Sequence, residues 1–271
     1  MHAETCDTAP AVPPQAVGRR LVVTWQHPIE RTIEPVGILQ FDGQTYSFHY
    51  IRNALQVNDF HPFLGFPYLH RAYHSDRLFA FFAQRAMTPR RPDFAHWVRR
   101  LGLDDDATPW EQISRSEGRR QGDTVQLFPV PEVGNGQMNC NFLVHGIRHI
   151  PEEPIRVAGN NVRLSADALE AHLSALRPGD PLRVLDQPDN DYNSKAILTT
   201  TVTDQPLGWV PDLLVDEVHR IPNRGSVNVA VHVVNGREAG WHLRLLAHLE
   251  AVVPQDFRVF DGPKWEPLAV A

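Results

Sequence analysis

The residues best suited to chemistry lie at positions 189–197, Asp-Asn-Asp-Tyr-Asn-Ser-Lys-Ala-Ile. Asn and Asp side chains bond to nearby backbone and so hold tight turns. A polar turn feeding directly into an apolar strand displays its side chains at the rim of a sheet or barrel. Such a rim turns amide, carboxylate and phenol groups outward, where they can hydrogen-bond a ligand. On composition alone an ordinary connection between strands explains the run as well; residue order, taken up below, separates the two.

A second constellation is basic. Between residues 85 and 100, Arg85, Arg90, Arg91, Arg99 and Arg100 face only Asp93. Spread over two helices and their turn, they present either a basic ridge to phosphates or a solvated face whose charge is met by Asp104–Asp106. Histidine is abundant, with 14 residues. His145 and His149 would lie about 13 Å apart on a strand, too far for one metal. There is no His-Glu-x-x-His, Gly-x-Ser-x-Gly or phosphate-cradling Gly-rich loop. The expectation is a non-enzymatic protein with no metal and no cofactor.

A chain of 271 residues, 42% hydrophobic and 21% charged, is long enough for two compact units with proper cores. The net charge is −6, and 26 basic residues include only two lysines, Lys195 and Lys264. A broad footprint for non-specific nucleic-acid binding is therefore excluded, and any such site must be local. No window reaches the ~20 apolar residues needed to cross a bilayer. Cys6 and Cys140 give no disulfide framework, which fits a reducing compartment. The reading is cytoplasmic, with no membrane contact.

Residues 1–18, rich in Ala, Pro and Val, read as a loose tail without the pattern of a signal peptide. An N-terminal unit, 19–132, opens with strands at 21–25, 36–41 and 45–50. The last two are joined by Asp42-Gly43, a strong hairpin signal, and alternation puts Tyr46, Phe48 and Tyr50 on one face. Helices are expected at 76–86, 92–101 (with Asp93 at its start) and 108–115, then a strand at 124–130. Pro129, Pro131, Gly134 and Gly136 place a boundary near 131–138.

The second unit, 138–253, reads as mostly β. Strands are expected at 140–148, 161–164, 181–185, 195–202, 207–210, 227–234 and 241–251, the last two joined by Asn235-Gly236. A helix over 165–176 has Ser165 as its cap, and a short one begins at Pro211. Residues 254–271 form an extension. The fold class is thus an α+β module followed by a mostly-β small barrel.

Residue order then adds a resemblance. Pro188-Asp-Asn190-x-Tyr192-Asn193-x-x-Ala196-Ile197 resembles the HIRAN signature, Pro-x-Asn-x-Tyr-Asp-x-x-Ala-Ile. His145-Gly-Ile-Arg148, the run 177–184 and Pro206-Leu-Gly-Trp-Val-Pro211 resemble the family's other segments and arrive in its order. The likeness spans 140–253 and implies an OB-related barrel that recognises the 3′ end of single-stranded DNA. By position it implies DNA contact from Arg148, an end-binding pocket lined by Asn190 and Tyr192, and Asn193 at the terminal nucleotide. Trp209 and Lys195 complete the candidate set. Asn193 stands where the family signature has Asp, and from 137 to 253 there are 10 Arg and Lys against 14 Asp and Glu.

Val36-Gly-Ile-Leu with Tyr46-Ser-Phe-His-Tyr50 is similar to the opening region of HipA-type proteins, over 21–130. No kinase core follows. Together these likenesses imply a bacterial two-module adaptor that contacts single-stranded DNA ends and docks a protein partner, with a role in genome defence or a toxin–antitoxin system. The alternative is a protein-binding regulatory or antitoxin-like subunit of a HipA-type kinase, its barrel making no DNA contact.

Overall fold

The computed structural model describes residues 19–120 and 122–269. The expected tail with Cys6, Gln121 and the last two residues of the C-terminal extension lie outside the described residues.

The first sheet comprises β1 (Arg19–Gln26), β2 (Ile33–Phe41), β3 (Tyr46–Tyr50), β4 (Tyr73–Ser75) and β5 (Val125–Pro129). The order is β4-β3-β2-β1-β5, antiparallel throughout. Helices α1 (Ala80–Ala83), α2 (Phe94–Arg100) and α3 (Pro109–Arg115) lie between β4 and β5. The β2–β3 hairpin forms where Asp42-Gly43 places it, because Asp42 Oδ1 accepts the N–H groups of Gln44 (2.9 Å) and Thr45 (2.8 Å). Phe48 and Tyr50 are fully buried, in an aromatic cluster with Phe63, Phe66, Phe82 and Trp110, and Tyr46 packs against its edge. The Tyr50 hydroxyl donates to Phe66 O (3.0 Å) and accepts from Phe63 N–H (2.7 Å), so this buried polar group is satisfied.

The opposite face of this sheet is covered too. Val22, Ile38 and Phe128 belong to a larger cluster shared with the second sheet, while Leu21, Val23 and Leu127 face the aromatic one. Burial on both faces explains why β1 reads as an unbroken apolar run rather than an alternation.

The chain continues through β6 (Glu132–Gly134), β7 (Gln137–Leu143), the small hairpin β8 (Ile155–Val157) and β9 (Asn160–Val162), and α4 (Ala166–Ala175). Then come β10 (Pro181–Asp186), β11 (Ile197–Thr201), β12 (Pro206–Trp209), α5 (Asp212–His219), β13 (Asn228–Val234) and β14 (Leu245–Val252). The second sheet is antiparallel, in the order β12-β11-β10-β13-β14-β7-β6. Ser165 caps α4 as expected, accepting from Ala168 N–H at 3.1 Å. The chain is thus mixed α and β, built on antiparallel sheets.

The expected small barrel is not found as a closed sheet. No ladder joins β12 to β7; the chain just past β7 meets β12 through one antiparallel bridge, His145 to Trp209. The segment 131–138 is occupied by the β6–β7 hairpin, and the larger core cluster runs across it, from Val22 to Trp265.

Other expectations shift locally. The helix expected over 76–86 contracts to Ala80–Ala83 and continues in tighter turns, with Arg85 N–H on Phe82 O and Ala86 N–H on Ala83 O. Asp93 stands at the N-cap position of α2 as expected, but its side chain makes no capping bond because Arg91 holds the carboxylate. The strand expected through Arg148 ends at Leu143, where the chain breaks toward a 3-10 turn at Ile147–His149. Asn235-Gly236 is not a two-residue turn. Asn235 Nδ2 donates to Arg100 O (2.9 Å) and Leu243 O (2.6 Å), holding a longer connection over 235–244. Among the described residues no helix is long and apolar enough to cross a membrane.

Candidate ligand-binding cleft

The polar turn after β10 is held by its own side chains. Asn190 Oδ1 accepts from Tyr192 N–H (3.0 Å) and Asn193 N–H (3.1 Å), and Asn193 Oδ1 accepts from Lys195 N–H (2.9 Å). Asn193 Nδ2 donates to Asp212 Oδ1 at 2.8 Å, fastening the turn to the first residue of α5. An Asp at this position would place two carboxylates face to face, so Asn193 and Asp212 suit each other as they stand. The Tyr192 ring, the outermost part of the turn, is fully exposed.

Behind this turn lies a cleft of about 940 Å³, walled by Asn190, Tyr192 and Asn193 on one side and the β8–β9 hairpin on the other, with Trp209 among its lining. Trp209 is fixed from three directions. Its backbone exchanges two hydrogen bonds with His145, both 2.9 Å. Its indole N–H donates to Gln187 Oε1 at 2.7 Å, which leaves the Gln187 amide to donate to Arg156 O at 2.8 Å. Its ring lies over Gly146: a Cβ there would come within 2.6 Å of Trp209 Cε3, and φ is +69°. Gly208 is equally constrained, since a Cβ on it would strike the His145 carbonyl. Two glycines thus let the strands cross closely enough to seat the indole.

Asn190, Tyr192, Asn193 and Trp209 are therefore brought together in one cleft. Arg148 stands outside its lining, exposed, with Nε donating to His149 Nε2 (2.9 Å), while His149 Nδ1 lies 2.8 Å from Glu152. Lys195 lines a neighbouring groove, its Nζ 2.9 Å from Asp216 Oδ1. The proposed arginine ridge is not formed. Arg85 is buried, its guanidinium over the Phe81 ring and 2.5 Å from Asp123. Arg91 pairs with Asp93, Arg99 with Asp105 and Arg100 with Glu238; Arg90 is exposed.

The cleft is acidic. Its lining includes Glu152, Glu153, Asp186, Asp189, Asp191 and Asp212, against one arginine, Arg156, which is itself paired with Asp189 at 2.6 Å. A long polyphosphate backbone is poorly matched to such a surface. A base, a sugar or another group rich in hydrogen-bond donors is better matched.

Sequence reasoning missed Gln187, the Arg156 carbonyl, and the pairing of His145 with Glu117, which joins residues 28 positions apart at 2.8 Å. No motif marked these residues. A Gln one residue ahead of the Pro188 turn was the available signal for Gln187. Among the described residues no group of three or more His, Cys, Asp and Glu side chains is arranged to hold a metal.

No protein-family model matches the chain, and no curated protein matches it. Two solved structures are similar over part of it. A protein from Lactobacillus plantarum is 18% identical, with a TM-score of 0.29, over 43% of this chain and 99% of that one. The HIRAN domain of human HLTF is 14% identical, with a TM-score of 0.26, over 44% of this chain and 78% of that one.

Proposed function

We propose that the chain is a non-enzymatic, cytoplasmic nucleic-acid-binding adaptor of HIRAN type, whose cleft takes the 3′ end of a single DNA strand. The observation that carries this reading is the convergence of Asn190, Tyr192, Asn193 and Trp209 on one cleft. An exposed tyrosine ring and a rigidly seated indole offer π faces for one or two bases. The surrounding carboxylates and amides accept and donate hydrogen bonds to sugar hydroxyls and base edges. In this reading affinity rests on the end of the strand and not on its phosphates, in keeping with the acidic lining.

The test is a titration of a short 5′-labelled single strand at low salt, followed by anisotropy. Tyr192→Ala and Trp209→Leu are each expected to weaken binding about tenfold or more, with the thermal melt of Tyr192→Ala unchanged. Unaltered binding by both variants would remove the cleft from the function.

One observation favours a second reading. Six carboxylates around the cleft against one paired arginine suit a basic protein segment. A HipA-type regulatory subunit would use the cleft in that way. Salt-sensitive binding of an Arg-rich peptide, in the absence of oligonucleotide binding, would select it.

A further inference from the structure

Five arginines of the described residues are buried or half-buried: Arg85, Arg100, Arg115, Arg224 and Arg244. Four of them hold a carboxylate, respectively Asp123, Glu238, Asp186 and Glu170. Arg115, the last residue of α3, holds none within 4.0 Å, and its Nη1 is buried without a hydrogen-bond acceptor. A half-buried cation with a buried, unpaired N–H is costly, so the exception calls for a partner. Glu111, one helical turn earlier, favours the charge from a distance but makes no ion pair within 4.0 Å. Its Oε2 accepts from the Thr108 N–H (2.8 Å) and hydroxyl (2.7 Å), and its Oε1 lies 3.9 Å from Arg19.

Arg115 lines a cleft of about 750 Å³ between α3, the start of β1, the β6–β7 hairpin and residues 255–261. Arg20 and Arg258 also line it, and neither has a carboxylate within 4.0 Å among the described residues. His248 and the amides of Asn139 and Asn141 share the same wall. The acids present are Glu111, Glu132 and Asp261, one fewer than the four arginines counted with Arg19. In a chain of net charge −6 this is a locally cationic cleft, in contrast to the acidic one beside Trp209.

We infer that this second cleft is an anion site built for a phosphate group, with Arg115 as its inner donor and Arg20 and Arg258 at its mouth. Planar guanidinium forks match phosphate oxygens bidentately, which an ammonium cannot do. The phosphate can come from a free phosphate ester or from the backbone of a nucleic-acid strand; the recognising chemistry is the same. The site stands independently of the Trp209 cleft, with which it shares no lining residue.

The experiment is calorimetry of the full chain with sodium pyrophosphate at low salt, then competition by a nucleoside monophosphate and by a short oligonucleotide. Pyrophosphate is expected to bind, and Arg115→Gln and Arg258→Gln each to weaken it about tenfold or more. Arg163→Gln, an exposed arginine outside the cleft, and Tyr192→Ala leave it unchanged. Competition by the mononucleotide alone identifies a free phosphate ester, and competition by the oligonucleotide identifies a strand backbone. If Arg115→Gln fails to fold, Arg258→Gln and Arg20→Gln carry the test, since both side chains are exposed. No heat of binding from the wild-type chain, or equal affinity in the arginine variants, overturns the proposal.

Discussion

Glu117 Oε1 lies 2.8 Å from His145 Nε2, and this contact ties the N-terminal half to the backbone that holds Trp209. The Glu117 side chain is only 3% exposed, and its second oxygen is buried without a partner. The residue also adopts a left-handed backbone conformation, with φ of +55°. A charged group under this much constraint marks a junction where both halves are fitted together.

Replacement of Glu117 separates its two roles. Glu117→Ala loses the bond to His145 and keeps the backbone strain, for a cost of about 1.5–3 kcal/mol. Glu117→Gly loses the same bond but relieves the left-handed conformation, and is expected to be about 1 kcal/mol more stable than the alanine variant. Urea denaturation of the pair measures the difference. An alanine variant as stable as the glycine variant would contradict the strain argument.

Gln187 is the residue on which the seating of Trp209 turns. Gln187→Leu removes the bonds to the indole N–H and the Arg156 carbonyl together, and a destabilisation of about 1 kcal/mol follows for each part-buried hydrogen bond lost. Because the β8–β9 wall is released at the same time, binding in the cleft is expected to weaken alongside stability. A variant that melts like wild type would show that the relay is dispensable.

Three histidines contribute stability that is lost toward acid. Burial holds His49, His232 and His242 below the ordinary value of 6.5, and nearby Arg20, Arg115 and Arg119 push in the same direction. Each takes up its proton at a lower pH when folded than when unfolded, so between those two values the unfolded state binds more protons. Their contribution is present above pH 6.5 and is lost as pH falls through their depressed folded values. Urea midpoints at pH 7.5, 6.5 and 5.5 are expected to decrease in that order, and His49→Gln to flatten the trend. Midpoints that rise toward pH 5.5 would contradict it.

Local chemistry made much of this molecule legible. Asp42-Gly43, Ser165 and the alternating rings of β3 act through contacts within a few residues, and each is found as the sequence implies. The 189–193 turn belongs to the same class, since Asn190 bonds to residues two and three positions on. What was hidden depends on distant partners. Arg85 reads as a surface cation until Asp123, 38 residues later, draws it inside. His145 and Gly146 lie in an apolar run that reads as strand, and only the close crossing with Trp209 and Gly208 bends it. Asn235 looks like a hairpin residue because its partner, the Arg100 carbonyl, is far away in sequence at the end of α2.

The most direct measurement compares two short single strands that differ only at the 3′ terminus, one with a free hydroxyl and one blocked. Anisotropy at low salt is expected to give clearly tighter binding to the free end, with the preference abolished in Trp209→Leu. Equal binding to both strands, or none to either by the folded chain, would contradict an end-reading cleft.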